Sequence, residues 1–150
     1  MHVRQLTIFL VAVALASVAA ADDTRTERRT FSLAKTEALG IPISDAVLVG
    51  NTLYLSGNGG IDLETMSVPD DPKAEARLLM ENVKDTLALA DMTLEDLVSV
   101  TIYCPDLSLF GDFNEVYRSY FDGNYPARAF VGSGQLLFGM RFEIQAIAVR

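Results

Sequence analysis

The chain has 150 residues, a length typical of one domain with a single hydrophobic core. Its 20 acidic residues outnumber the 12 basic ones and give a formal net charge of −8, which disfavours nucleic-acid binding because phosphate contacts need a basic surface. The single cysteine, Cys104, excludes an intramolecular disulfide and a thiolate metal cluster. Its place on an alternating strand pattern favours a buried, inert thiol over a reactive one.

The N-terminal segment has the pattern of a secretory signal peptide. Residues 1–5 form a short basic start, residues 6–18 are an apolar run too short to span a bilayer comfortably, and residues 18–21 fit the small-residue cleavage rule. We therefore interpret residues 1–21 as the signal peptide of a periplasmic or secreted protein, with an uncleaved anchor as the alternative. Cleavage removes His2, the only histidine, and so excludes a Ser-His-Asp or Cys-His triad and a histidine-ligated metal.

The residues after the signal divide into a tail and a domain. Residues 22–40 begin with a charged, Thr-rich stretch, so we expect a flexible N-terminal segment there and a folded domain over residues 41–150. Two short strands flank Gly50 and Asn51 near the start of the domain. A two-residue Gly/Asn connection is typical of a tight β-hairpin.

Hydrophobic periodicity predicts the other elements. Apolar residues recur at helical spacing between Lys73 and Ala90, and we expect Glu75 on the exposed surface of that helix. An aromatic stripe marks a second helix, and strict alternation marks a half-buried strand that includes Val98. The predicted elements are strands 45–49 and 52–56, helix 73–90, strand 98–104, helix 109–121, and strands 128–131 and 140–149.

This order predicts an α+β domain in which two helices pack on one face of a mixed β-sheet. The uncovered face carries polar residues mixed with apolar and aromatic ones. A semi-apolar sheet face is typical of an assembly surface, so we expect a homo-oligomer. The apolar and aromatic members of this face are Tyr54, Tyr103, Ile147 and Val149.

Arg128 and Glu143 are the candidate functional pair. Arg128 follows a Pro-Ala turn and opens an apolar run, and Glu143 stands on the polar side of the last strand. A guanidinium is permanently charged and presents a flat fork of donors that matches a carboxylate. The two residues therefore suggest a pocket for a small carboxylic acid. The alternatives are an ion pair at a subunit interface for Arg128 and simple neutralisation of an arginine for Glu143.

Several blocks of the chain resemble the Rid family, the reactive intermediate deaminases that are also called YjgF or L-PSP proteins. The similarity runs from near Pro42 to Arg150, and it depends on the joint order and spacing of blocks that are individually weak. It implies a chorismate-mutase-like α+β fold and a homotrimer with three ligand clefts between neighbouring subunits. The matching blocks are Val49 to Gly57, Glu81 to Lys84, Val100 to Tyr103, Phe113 to Tyr117, Tyr125 to Arg128, and Glu143 to Val149.

The resemblance also implies an activity and a set of site residues. Family members hydrolyse enamines and imines of amino acids to 2-keto acids and ammonia, without a metal or organic cofactor. The family arginine that binds the substrate carboxylate matches Arg128, and the glutamate that positions water matches Glu143. The remaining implied substrate contacts are Asn114 and the Ser56-Gly57 pair. A helix-surface or capping role for Asn114 and a turn role for Ser56 stay open.

Two positions depart from the family pattern. Ile43 stands where deaminating members often have a tyrosine, and Phe130 stands where they often have Cys or Thr. Both changes make the pocket more apolar, which favours a larger or aromatic substrate. The usual Leu-Pro before the last strand is Leu136-Leu137 here, so that loop is expected to differ as well.

Three functional classes follow from this pattern. The first is an imine or enamine deaminase, and the second is a non-catalytic protein that binds a small carboxylate or metabolite. The third is the endoribonuclease that some family names carry, and the acidic charge and the missing histidine argue against it. We expect a small carboxylate or imino-acid ligand, and neither nucleic acid nor membrane as a partner after signal cleavage.

Overall fold

The computed structural model describes residues 26–150, and the predicted signal peptide lies outside the described residues. Within the described part of the chain, no helix combines the length and apolar character needed to cross a membrane.

The described residues form six strands, three helices and three short 3-10 turns, the turns being Leu94–Asp96, Leu107–Leu109 and Leu137–Gly139. The strands are β1 Arg28–Phe31, β2 Ala46–Val49, β3 Thr52–Gly59, β4 Leu97–Cys104, β5 Ala127–Gly132 and β6 Glu143–Val149, and the helices are α1 Ala34–Ala38, α2 Pro72–Ala88 and α3 Phe110–Arg118.

The strands form one mixed sheet in the order β1-β2-β3-β6-β4-β5. The pairs are antiparallel except β4 with β5, which are parallel. The predicted hairpin is confirmed, since Val49 pairs with Thr52 across the two-residue turn and Gly50 has a φ of 61°, which suits glycine. The mixed sheet of the sequence prediction is therefore confirmed, with one strand more than expected.

Both long helices pack on the same face of the sheet, as the sequence predicted. Asp71 begins α2 by accepting a hydrogen bond from the Ala74 N–H at 2.9 Å, and Pro72 occupies the first turn. The side chains between the helices and the sheet form one core. Its largest fully buried members are Phe113, Phe142, Leu53, Leu79, Met80, Leu87, Ile102 and Ile144.

The described part of residues 22–40 differs from the flexible segment that we predicted. β1 pairs with β2 in antiparallel register, and α1 follows directly. The reason is local: β2 has free backbone groups on its outer edge, and Asp45 accepts hydrogen bonds from Leu33 N–H at 2.8 Å and from Thr36 Oγ1 at 2.9 Å. These bonds hold the N-terminal residues against the domain.

Val98 also differs from its predicted place. The alternation put it on the buried face of β4, yet its side chain is 45% exposed. The pairing of β4 with β6 shifts between Leu97 and Ser99, so Val98 sits in a β-bulge and leaves the alternation. Leu97, Val100, Ile102 and Cys104 carry the buried face instead.

Glu75 is the third correction, because it is fully buried and not on the helix surface. Its carboxylate accepts from Arg141 Nη1 at 2.5 Å, from the Arg141 N–H at 2.6 Å and from the Phe142 N–H at 3.1 Å. Arg141 also donates to the carbonyls of Pro69 and Asp70 at 2.9 Å. A buried charge with this set of partners is satisfied, and it joins the start of α2 to the start of β6.

Candidate functional site

Arg128 lies on the edge strand β5, on the side of the sheet that the helices cover. It pairs in parallel register with Val100, whose side chain is buried in the core. Side chains of directly paired residues share a face, so the guanidinium reaches toward α3 and not toward the uncovered face. It borders a cavity of about 260 Å³. The other residues lining this cavity are Asn114, Tyr117, Arg118, Tyr125 and Pro126.

Two side chains of α3 orient the guanidinium of Arg128. Nη2 donates to Asn114 Oδ1 at 2.6 Å, and Cζ lies 4.6 Å from the centre of the Tyr117 ring, a cation–π distance. The Tyr117 hydroxyl is buried and has no hydrogen-bond partner within residues 26–150. Burial raises the pKa of Tyr117 to about 12, and the charge of Arg128 only partly offsets this. Arg128 is itself exposed, so its donors are open to an anionic ligand.

Glu143 borders a separate and larger cavity of about 440 Å³. It is the first residue of β6 and pairs with Tyr103, whereas its neighbours Phe142 and Ile144 are buried in the core. Because side chains alternate along a strand, Glu143 projects from the uncovered face. Ile43, Ser56 and Gly57 line the same cavity, so the structure brings these four predicted site residues together.

A β-bulge makes room for the carboxylate of Glu143. Leu55 pairs with Ala146 and Asn58 pairs with Ile144, which leaves Ser56 and Gly57 opposite the single residue Gln145. A β-carbon at Gly57 would overlap Glu143 Oε1, so this position requires glycine. The bulge therefore determines where the carboxylate lies.

Ser56 supports the cavity wall through its own hydrogen bonds. Its Oγ donates to the Ser44 carbonyl at 2.5 Å, and its N–H donates to the Asp45 carbonyl at 2.9 Å. These bonds fix the segment that carries Ile43 above β3. The hydroxyl proton is used in this contact, which agrees with the turn role that the sequence left open for Ser56.

The carboxyl of Glu143 is easier to protonate in the folded protein than in water. Burial raises the pKa of the Glu143 carboxyl above its ordinary value. No hydrogen bond or nearby cation offsets this within residues 26–150, and the neighbouring arginine, Arg141, pairs with Glu75 instead. An ionised carboxylate without a partner is a stronger base than usual and is free to hydrogen-bond a water or a ligand.

Sequence reasoning missed the side chains that form the outer wall of this cavity. Leu137 and Phe138 belong to the 3-10 turn before β6 and are 71% and 61% exposed. Only the unusual Leu136-Leu137 sequence pointed to this loop. Asn82 of α2 also lines the cavity and donates to the carbonyls of Gly59 and Ile61 at 2.9 and 3.1 Å.

The predicted site residues form two groups and not one. Arg128 and Asn114 lie on the helix side of the sheet, and the group around Glu143 lies on the other side. Phe130 lines neither cavity: its ring packs edge-on against Phe110 at 5.1 Å and Phe113 at 5.5 Å. Its predicted contact with substrate stays a prediction. Within the described chain, no cluster of three or more His, Cys, Asp or Glu side chains is placed to hold a metal.

The chain matches known proteins over most of its length. A protein-family model described as Endoribonuclease L-PSP matches residues 36–150. A Rattus norvegicus protein named 2-iminobutanoate/2-iminopropanoate deaminase is 38% identical over 124 residues, covering 82% of this chain and 90% of the rat protein. The structure of Escherichia coli TdcF with bound serine matches with a TM-score of 0.70 at 34% identity, covering 73% and 89% of the two chains. RidA from an Antarctic Psychrobacter matches with a TM-score of 0.71 at 35% identity, covering 84% and 98%.

Proposed function

The chain belongs to the Endoribonuclease L-PSP family, which includes the Rid proteins, and from this membership and its two cavities we propose that it is an imine deaminase. The substrate is an imine or enamine of an amino acid, and the products are a 2-keto acid and ammonia. The name of the rat relative and the serine bound to TdcF both support a small amino-acid-like ligand. The acidic charge of the chain argues against RNA as substrate.

The proposed chemistry needs a carboxylate anchor, a positioned water and a proton carrier. Arg128 binds the substrate carboxylate. The imine reacts with its nitrogen protonated, and Glu143 accepts a proton from water as the water oxygen bonds to the imine carbon, which yields a neutral carbinolamine. Glu143 returns this proton to the nitrogen and then accepts the hydroxyl proton as the carbon–nitrogen bond breaks, so that the 2-keto acid forms and ammonia leaves. The departing ammonia takes up the last proton and restores the Glu143 carboxylate. A base with a raised pKa suits both steps, because it must accept and return one proton near neutral pH.

One observation carries the architecture of this proposal: Arg128 and Glu143 lie on opposite sides of the same sheet. A small substrate cannot reach both side chains of one copy through the sheet. Arg128 of one subunit and Glu143 of a neighbour therefore act on the same ligand. A closed ring of three copies with head-to-tail contacts provides three such clefts.

Mixed subunits test this arrangement. We expect Arg128→Ala and Glu143→Gln each to abolish acceleration of imine hydrolysis, measured with imines that an amino-acid oxidase generates. Unfolding and refolding the two variants together in equal amounts should restore about one quarter of wild-type activity, because about one cleft in four then receives both intact residues. Each variant refolded alone is the control.

The outcomes separate the possibilities. Absence of recovery in verified mixed oligomers would mean that both residues serve the same copy. If the wild-type protein accelerates no imine over buffer yet binds a small carboxylate through Arg128, the protein is the non-catalytic binding module of the second class. Binding that survives in Arg128→Ala contradicts the carboxylate role of this residue.

We propose also that residues 1–21 direct export to the periplasm or the exterior, where an amino-acid-oxidising enzyme supplies the imine. The apolar run and the small residues after it support this proposal. N-terminal sequencing of the protein from its native host should find a first residue near Asp22. A mature protein that retains Met1 in the cytoplasm contradicts it.

A further inference from the structure

We propose that the preferred substrates carry a branched aliphatic or aromatic side chain, an inference that rests on the proposed deaminase function. The feature that carries it is the apolar rim of the larger cavity, which we define as Ile41, Ile43, Leu137 and Phe138. These four side chains are between 46% and 71% exposed in the single chain and line the cavity that contains Glu143. Apolar surface held open beside a reactive carboxylate favours an apolar ligand group.

The side chains on the Glu143 side of the cavity differ from those of the rim. Glu143, Gln145 and Ser56 come from the sheet, whereas the apolar rim comes from two loops outside the sheet. The other polar lining residues are Lys35, Thr36, Asp45, Asn58 and Asn82. A substrate whose imine carbon lies against Glu143 therefore directs its side chain toward the rim. Ile61, Leu63 and Met140 extend the apolar lining.

The volume of the cavity exceeds the needs of a small imine. It is about 440 Å³, within the range of roughly 300–1,000 Å³ for pockets that enclose much larger ligands. The name of the rat relative refers to substrates with side chains of one and two carbons. Side chains of that size fill little of the cavity of a single chain, whereas an isobutyl or benzyl group fills more of it and extends toward the apolar rim.

Both loops of the rim are held in place by the fold. Thr36 Oγ1 and Leu33 N–H bind the Asp45 carboxylate, which anchors the chain on both sides of Ile41 and Ile43. In the second loop, Phe138 has a φ of 57°, unusual for an aromatic residue, and the Met140 N–H donates to the Leu137 carbonyl at 3.1 Å. The turn thus presents Leu137 and Phe138 outward at the expense of local backbone strain.

Relative rates for three imines test the inference. With imines generated from alanine, leucine and phenylalanine by an oxidase, and surviving imine trapped by semicarbazide, we expect kcat/KM at least about tenfold higher for the two larger imines. Ile43→Ala and Leu137→Ala should each reduce this preference severalfold, measured as the ratio of kcat/KM for the larger imines to kcat/KM for the alanine-derived imine. Leu107→Ala is the matched control, because Leu107 is 56% exposed and lies outside the cavity lining.

Failure of this inference is distinct from failure of the proposed function. Activity that is equal or greater on the alanine-derived imine overturns the preference and leaves the deaminase intact, whereas no activity on any imine overturns the function itself. The rim variants also need their mass in solution measured. If Ile43→Ala and Leu137→Ala break the oligomer and leave the ratio of kcat/KM values unchanged, the rim is a subunit contact and the inference is wrong.

Discussion

At the scale of single residues, Arg128 depends on its two neighbours on α3. The hydrogen bond that the guanidinium donates to Asn114 and the ring of Tyr117 fix one edge and one face of the guanidinium, which leaves a planar fork for a carboxylate. A lysine would keep the positive charge but lose the fork and much of the stacking on the ring. The geometry of the donors therefore matters as much as their charge.

We expect Arg128→Lys to lower kcat/KM for imine hydrolysis about 10- to 100-fold, the loss of a charge-assisted hydrogen bond of about 1.5–3 kcal/mol. Steady-state kinetics on imines generated by an oxidase measure the effect. Arg118→Lys, on the same cavity but without a hydrogen bond to Asn114 in the described chain, is the matched control and should stay close to wild type. Unchanged kinetics in Arg128→Lys would show that charge alone suffices.

In the proposed mechanism, Glu143 links catalysis to stability. Its pKa is raised by burial, so the folded state disfavours the ionised form that the proposed reaction uses. The folded protein then binds more protons at this carboxyl than the unfolded chain, and stability falls as pH rises through the window above the ordinary value of 4.5. Below that value both states are protonated and the penalty disappears.

Glu143→Gln removes this penalty, so we expect the variant to be inactive and yet slightly more stable than wild type at pH 7. The difference should shrink to zero as pH falls below 4.5, because both side chains are then neutral. Urea unfolding at a series of pH values measures it. A variant less stable than wild type at pH 7 would show that the carboxylate makes a favourable contact that outweighs its desolvation.

Residues of the candidate site could be proposed from the sequence where a single chemical feature sufficed. Arg128 and Glu143 stood out because a permanent charge and a carboxylate lie beside apolar strands. Glu75 did not, because a glutamate on a helix next to other polar residues normally faces water, and only the three-dimensional approach of Arg141 explains its burial. Leu137 and Phe138 were missed since loop exposure leaves no periodic signal.

At the scale of elements, the contact of Glu75 on α2 with Arg141 and Phe142 connects this helix to the start of β6. The Glu75 carboxylate accepts hydrogen bonds from the N–H groups of Arg141 and Phe142 and from the Arg141 guanidinium. Arg141 and Phe142 directly precede Glu143, the first residue of β6. The first turn of α2 lies close to β3 as well, since a β-carbon on Gly60 would overlap Glu75. The position of the Glu143 carboxylate therefore depends on contacts made by its neighbours in sequence.

Arg141→Ala should lower the free energy of unfolding by about 3 kcal/mol or more, because it leaves the buried carboxylate of Glu75 without its cation. Denaturant unfolding at pH 7 measures the loss. Arg141→Lys is the graded control: it keeps a charge but cannot reach the Pro69 and Asp70 carbonyls with a fork, so its loss should be smaller. Equal stability of wild type and Arg141→Ala would mean that water replaces the guanidinium without penalty.

Elements were predicted better than their irregularities. The helices and the hairpin follow from periodicity and turn chemistry, and the structure confirms them with small shifts at the ends. The two bulges, at Val98 and at Ser56-Gly57, were not predicted because pairing between distant strands decides them. β1 was missed for the same reason, since its partner edge is visible only once β2 is in place.

At the scale of the whole molecule, the proposed function makes one chain an incomplete site. The uncovered face carries exposed Tyr54 beside Ile147, and the Glu143 cavity opens on that side of the sheet. We expect a mass in solution three times that of one chain, measured by light scattering. A monomeric protein with full deaminase activity would contradict both the oligomer and the shared cleft.

A charged substitution in the centre of this face, Ile147→Lys, should dissociate the assembly and abolish activity together, whereas Glu95→Lys on an exposed turn should do neither.

The strand order also determines when this chain is able to fold. β6 lies between β3 and β4 in the sheet, so Thr52 pairs with Val149 across almost the whole domain. Until residues 143–149 leave the ribosome, the hairpin of β2 and β3 has no neighbour on its inner side and the core cannot close. Sheets with such distant partners form slowly. A nascent chain that stays unfolded until its last strand is synthesised is in the state that translocation through a membrane channel requires.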